Sequence, residues 1–113
     1  MSSIIEEKSF AFSVRIVNLY KHLNEKKKEC VLSKQLLKSG TSIGANVAEA
    51  KQAQSAADFV SKMNIALKET SETKYWISLL GSTGFLTEAE FTSILADCVE
   101  LEKILVSIVK SLK

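Results

Sequence analysis

Residues 87–112 read TEAEFTSILADCVELEKILVSIVKSL, and the fold follows from how this stretch repeats. Phe91, Cys98, Leu105 and Leu112 recur every seven residues, and Ile94, Leu101 and Ile108 fill the second position of the same heptad. That alternation keeps one apolar stripe of an α-helix turned toward partner helices. Val99, Ile104, Val106 and Val109 widen the stripe beyond a narrow seam, as a core-facing helix requires. Thr87 and Glu90 stand in capping-box spacing, and Leu86 and Phe91 bracket them as a hydrophobic staple. The helix predicted over 88–112 therefore has a sharp start, and Gly84 just before it is a natural stop for the preceding element.

Three more helices extend outward from this one. The segment 56–83 opens at Ser55 with Asp58 in the capping-box position. Phe59, Ala66, Thr73 and Leu80 then form a heptad series interleaved with Met63, Thr70 and Ile77. In 30–52 the stripe is Leu32, Leu36, Ile43, Val47 and Ala50, with Ser39 and Asn46 on or beside it. Gly40 and Gly44 inside this segment each cost about 1 kcal/mol relative to alanine. Either the helix breaks there or another helix approaches closely; the apolar pattern continuing on both sides favours close approach. The segment 3–23 starts with Ser3 and Glu6 in capping-box spacing and carries Ile5, Phe12, Ile16, Leu19 and Leu23 on one face. Phe10, Val14 and Val17 add a second apolar face, more than a monomeric bundle needs, and point to self-association. Short connections between long helices favour antiparallel neighbours. The expected fold is all-α, an antiparallel up-and-down four-helix bundle forming one domain over 1–113.

Composition agrees. The 113 residues include no proline, 46% are hydrophobic and 25% charged, values of a folded chain with long uninterrupted helices. No apolar run approaches the roughly 18 residues of a membrane span, and Glu6 and Glu7 near the start, with no long apolar core, do not suit a signal peptide. The expectation is a cytoplasmic protein with no membrane role. Cys30 and Cys98 lack a C-x-x-C partner and read as free thiols.

Signatures of catalysis are missing. The one histidine, His22, has no glutamate three residues before it, so a ferritin-like metal site is not expected; it reads as an exposed residue in the last turn of the first helix. No phosphate loop, nucleophile elbow or zinc spacing occurs. Glu69 and Glu72 lie one turn apart, but Lys68 and Lys74 are close enough to pair with them as solvated acids. Tyr75 and Trp76 read as core or subunit-interface aromatics. No catalytic, cofactor-binding or metal-binding residue is assigned, and no cofactor is expected.

Charge is uneven. Residues 1–54 hold nine Lys/Arg against five Asp/Glu, whereas 55–113 hold six against eight. Lys8, Arg15 and His22 repeat every seven residues along one side of the first helix, and Lys26, Lys27, Lys34 and Lys38 continue the positive charge. Such a stripe can follow a phosphate backbone or be simply a solvated face, and in a symmetric ring the fields of several subunits would add. Lys8, Arg15, Lys26, Lys27, Lys34 and Lys38 are the candidate nucleic-acid contacts. Asn46 has Ser42 at i−4 and Glu49 at i+3; because an unpaired buried amide costs about 1–3 kcal/mol, a polar cluster of Ser42, Asn46 and Glu49 reaching a neighbouring helix or subunit is expected.

The run Ser42-Ile43-Gly44-Ala45-Asn46-Val47-Ala48-Glu49-Ala50 resembles the S-I-x-x-N-[IV]-A-E-[GA] signature of a bacterial four-helix-bundle family encoded in intervening sequences of 23S ribosomal RNA genes, often labelled S23 ribosomal proteins. Ser55, Asp58-Phe59, Ile65-Ala66, Glu69, Ser71-Glu72, Tyr75-Trp76 and Leu79-Leu80 extend the resemblance over essentially the whole chain. It implies a bundle assembling into a homo-oligomeric ring, with a pentamer the family expectation. The accessory protein of diversity-generating retroelements is similar in fold, which brings RNA and a nucleic-acid-processing protein into view as partners. No catalytic set is carried over. Ala50 replaces the usual glycine, and Lys38 stands where arginine is frequent, giving a point charge in place of a planar fork. The expected function is a non-enzymatic, RNA-associated accessory protein; the alternative is a protein-interaction scaffold without a nucleic-acid role.

Overall fold

Each helix begins where a side chain satisfies the first free N–H groups. In the computed structural model, which describes residues 3–112, the order is α1 (Ile4–Glu25), α2 (Leu32–Lys51), α3 (Ala56–Ser82) and α4 (Glu88–Ser111). Ser3 and Glu6 form a reciprocal capping box at α1, as do Thr87 and Glu90 at α4, and Ser55 Oγ accepts from the Asp58 N–H at 3.0 Å at α3. Leu86 is buried beside α4, and α3 stops at Gly84, whose φ of +86° suits a residue without Cβ.

The helices pack as α1 on α2, α2 on α3, α3 on α4 and α4 back on α1, an antiparallel bundle 44 × 23 × 20 Å in extent. The heptad residues meet in one core: Ile5, Phe12, Ile16 and Leu23 from α1, Leu36, Ile43 and Val47 from α2, with Met63, Ile77 and Leu80 from α3 and Ile94, Cys98, Leu101 and Leu105 from α4. Leu19, Leu32, Phe59, Phe91 and Ile108 are half-buried at its margin, and Leu112 is exposed. Val109, expected to widen the α4 face, lies in the core; Val99 and Ile104 are half-buried and Val106 is exposed. Cys30 is exposed and Cys98 buried, both as free thiols, and burial, with Glu102 adding to it, pushes the Cys98 thiol up to about 12.

α2 runs unbroken through Gly40 and Gly44. A Cβ on Gly40 would lie 2.9 Å from Cγ1 and Cγ2 of buried Ile16, and one on Gly44 would lie 3.1 Å from Ser13 Oγ and 3.3 Å from the Ser9 carbonyl oxygen. Both glycines are thus the contact surface for α1. On the other side of α2, Thr73 Oγ1 lies 3.0 Å from Ser39 Oγ, a hydroxyl pair that joins α2 to α3 inside the core, while Thr70 and Thr73 donate back to the carbonyls of Ala66 and Glu69, which leaves the Thr73 oxygen to accept from Ser39.

The helix ends differ by one or two residues from the sequence expectation, most at the first turn. α1 continues to Glu25 and α2 starts at Leu32, because Lys28 takes φ 56° and the Glu29 N–H reaches back to the Leu23 carbonyl at 2.9 Å. This is the left-handed helix stop ordinarily given to glycine.

Gly40→Val should overpack the α1–α2 contact and lower stability by about 1–3 kcal/mol in urea denaturation. An unchanged midpoint would mean that α1 and α2 are not in close apposition.

Candidate nucleic-acid interface

The first turn is built on polar side chains. Glu29, 8% exposed, turns its carboxylate onto the N-terminus of α2, accepting from the N–H groups of Leu32 and Ser33 at 2.8 Å each and of Val31 at 3.2 Å. Ser33 Oγ donates to the Glu29 carbonyl at 2.9 Å, and Asn24 Nδ2 donates to Ser33 Oγ at 3.1 Å and to the Tyr20 carbonyl at 2.8 Å. Burial raises the Glu29 pKa, but the hydrogen bonds from Leu32, Ser33 and Val31 outweigh it and hold the carboxyl below its ordinary range. Lys26, Lys27 and Lys28 sit on this braced turn, all exposed.

Lys34 and Lys38 are exposed on α2, and Lys21 is exposed on α1. Among the described residues none of these six lysines makes an ion pair. Lys27 is near enough to Glu90, and Lys38 to Glu69, to favour the ionised carboxylates without touching them. Lys21 and Lys28 were not singled out by the heptad spacing; Lys28 follows Lys27 directly in the turn, and Lys21 stands one turn before the end of α1.

The α1 half of the expected stripe does different work. Lys8 Nζ lies 3.2 Å from Glu100, Arg15 donates to Asp97 at 2.6 Å and to Ser93 Oγ at 3.0 Å, and His22 Nε2 lies 3.7 Å from Glu90. These side chains bridge the thinnest of the four helix seams, α1 to α4. Lys8 and Arg15 are therefore engaged in partly exposed ion pairs within the protomer, contacts that the sequence could not show because their partners are about eighty or ninety positions away.

The polar motif also differs from expectation. Asn46 Nδ2 donates to the Ser42 carbonyl at 2.8 Å, and Ser42 Oγ to the Lys38 carbonyl at 2.7 Å, both within α2. Only Glu49 reaches another helix, with Lys62 Nζ of α3 at 3.5 Å. The three side chains do not form one network, because each hydroxyl or amide finds a carbonyl one turn back on its own helix. Glu69 is raised by burial and by neighbouring Glu72, against the pull of Lys68 and Lys38. Glu72 accepts from Trp76 Nε1 at 3.1 Å, while Lys74 pairs with Glu102 of α4 at 2.9 Å and not with either expected acid. Trp76 packs half-buried against the core, with the exposed Tyr75 ring edge-on to it at 5.0 Å. Among the described residues, no group of three or more His, Cys, Asp or Glu is placed to hold a metal ion, and no helix is long and apolar enough to cross a membrane.

The sequence model of the 23S rRNA-intervening sequence protein family matches residues 1–107. The chain belongs to that family. Its fold is similar to the crystal structure of a protein of unknown function from the S23 ribosomal protein family of Bacteroides thetaiotaomicron, at 56% identity and a TM-score of 0.93, over 95% of this chain and 99% of that one. No curated protein matches at a significant level. Membership in the 23S rRNA-intervening sequence protein family accounts for the signature in α2 and leaves the activity open.

Two outcomes test this anatomy. Glu29→Gln should cost about 0.5–2 kcal/mol at neutral pH, since it weakens a helix cap. Because the folded pKa of Glu29 is lowered, its contribution is complete above the unfolded value of roughly 4.3. It is lost as the pH falls through the folded value, so the melting curves of wild type and variant should converge in acid; a constant gap would refute the capping role. At the α1–α4 seam, a double-mutant cycle of Arg15→Ala and Asp97→Ala should give a coupling of about 0.2–1 kcal/mol that shrinks at high salt, because both groups are partly exposed.

Proposed function

We propose that this chain is a non-enzymatic, homo-oligomeric bundle that associates with RNA through the lysines around the α1–α2 turn, in the cytoplasm. The observation that carries the reading is the cluster of Lys21, Lys26, Lys27, Lys28, Lys34 and Lys38, exposed and without ion-pair partners among the described residues. Glu25 and Glu29 are the only carboxylates in that stretch of chain, and Glu29 is spent on the α2 cap. Unpaired cations that meet phosphates release the condensed counterions of a nucleic acid. The family's tie to 23S rRNA makes RNA the favoured polyanion. The absence of a recognisable catalytic constellation in the sequence supports a binding role, alone or with a nucleic-acid-processing protein.

Self-association is supported by α1. Phe10 is 71% and Val14 46% exposed on the face turned away from the core, with Val17 half-buried beside them. Full burial of such side chains is worth about 1.5–3 kcal/mol each, so a second copy is the natural cover. A ring, the pentamer that the family resemblance implies, would bring several lysine turns together and strengthen their field.

Lys34→Glu with Lys38→Glu should weaken RNA binding and lower the slope of log K against log salt by about 1–2. Lys8→Glu, which meets Glu100, should leave that slope nearly unchanged. Phe10→Glu with Val14→Glu should reduce the mass seen by light scattering. Equal binding by the Lys34/Lys38 variant would remove RNA from the reading, and oligomers persisting without RNA binding would favour a protein scaffold.

A further inference from the structure

The bundle carries two uncovered apolar surfaces that differ in shape and direction. On α1, Phe10 stands 71% exposed, with Val14 beside it one turn on. Lys8 and Arg15 face α4 through their ion pairs, and Phe10, two residues from Lys8, lies nearly across the helix from it. On α4, Leu95 and Val99 stand two residues either side of Asp97, which faces Arg15, so they too turn away from the α1–α4 seam. With Phe91 and Ala96 they line a shallow depression of about 620 Å³. Val106, exposed, continues the apolar strip beyond it. The α1 surface is therefore a knob and the α4 surface a hollow, on opposite sides of the bundle.

Neither surface covers its own like. Two knobs meeting across a two-fold axis would leave both hollows bare, and two hollows would enclose a void that forfeits dispersion contacts. A knob in a hollow removes both from water at once. The bundle, 44 Å long and 20 Å or more across, has room on such a side for the about 800 Å² per partner of a stable interface. Charge supports the same match. Glu7, one turn before Phe10, is exposed and makes no ion pair among the described residues. Lys103, at the rim of the hollow one turn after Val99, is likewise exposed and unpaired, whereas Glu100 at that rim is already joined to Lys8. Each surface thus has an unspent charge beside its apolar centre, and the two signs are opposite.

We infer that the α4 hollow is the seat for the Phe10–Val14 surface of a second copy of this chain, with Glu7 of one copy meeting Lys103 of the next. The inference rests on the self-association proposed above and adds the surface that receives α1. Because the two surfaces are unlike, the contact is head-to-tail: each copy offers its knob to one neighbour and its hollow to another. Contacts of this kind close into a ring or run on as a filament, and they do not stop at a two-fold dimer.

Light scattering on the full chain, with circular dichroism to report folding, tests the pairing by complementation. Val99→Glu should raise the concentration needed for assembly about tenfold or more, as should Phe10→Glu with Val14→Glu. Mixed in equal amounts, these two variants should form a species of two protomers, because each keeps the surface that the other has lost and one contact cannot close a ring. Glu7→Lys should weaken assembly about fivefold, and adding Lys103→Glu to the same chain should restore it. Both residues are exposed, so this exchange reads the interface even where Val99→Glu disturbs the fold. A folded Val99→Glu chain that assembles like the wild type, absence of the mixed species, or no recovery on charge exchange would each overturn the α4 seat. Loss of mass in the Phe10/Val14 variant would still uphold self-association through α1 in those cases. A wild type that stays monomeric at high concentration would remove both readings.

Discussion

The close contact of α2 with α1 at Gly40 and Gly44 sets the rest of the molecule. With no Cβ at these positions, the α2 backbone lies against Ile16, Ser9 and Ser13. The two glycines sacrifice roughly 2 kcal/mol of helix propensity together, and the burial of Ile16, Ile43 and Leu36 around them offsets it. That contact fixes the rotation of α1 about its own axis. Once Ser9, Ser13 and Ile16 are turned toward α2 and Phe12 and Leu23 toward the core, Lys8, Arg15 and His22 must face α4, and Phe10 and Val14 must face away. The neutralised cations and the uncovered apolar face are consequences of one steric fact.

The same geometry sorts the positive charge into two classes. Along α1 it is structural, closing the thin α1–α4 seam through partly exposed ion pairs that stabilise modestly and respond to salt. Around the first turn it is free, because the nearby carboxylate of Glu29 points inward to the α2 amides. A single acid thus orders the turn and, by being used up in doing so, is not available to pair with its lysines, which make no ion pair among the described residues. At the other end Glu6 does both jobs, accepting from Ser3 at the start of α1 through Oε1 and pairing with Lys51 through Oε2.

Most of the fold was legible because its signals are local. Heptad spacing, capping boxes at Ser3 and Thr87, and the stop at Gly84 each act within one or two turns of chain. The start of α2 was harder to place: Lys28 performs a glycine's role and Glu29 caps from outside the first turn, a pattern that the usual cap preferences do not contain. The pairing state of the candidate residues was not legible. Lys26, Lys27, Lys34 and Lys38 make no ion pair among the described residues, whereas Lys8 and Arg15 do.

By itself the sequence determined that four amphipathic helices form, where three of them start, and which stripe of each turns inward, since periodicity and capping are properties of neighbouring residues. Tertiary structure alone decided which cations are spent and which polar residues meet. Lys8 finds Glu100, Ser39 finds Thr73, and the α2 glycines find Ile16 and Ser13 only when helices distant in sequence are laid side by side. Coulomb and contact forces depend on distance in space, and the order of residues along a chain does not carry that distance.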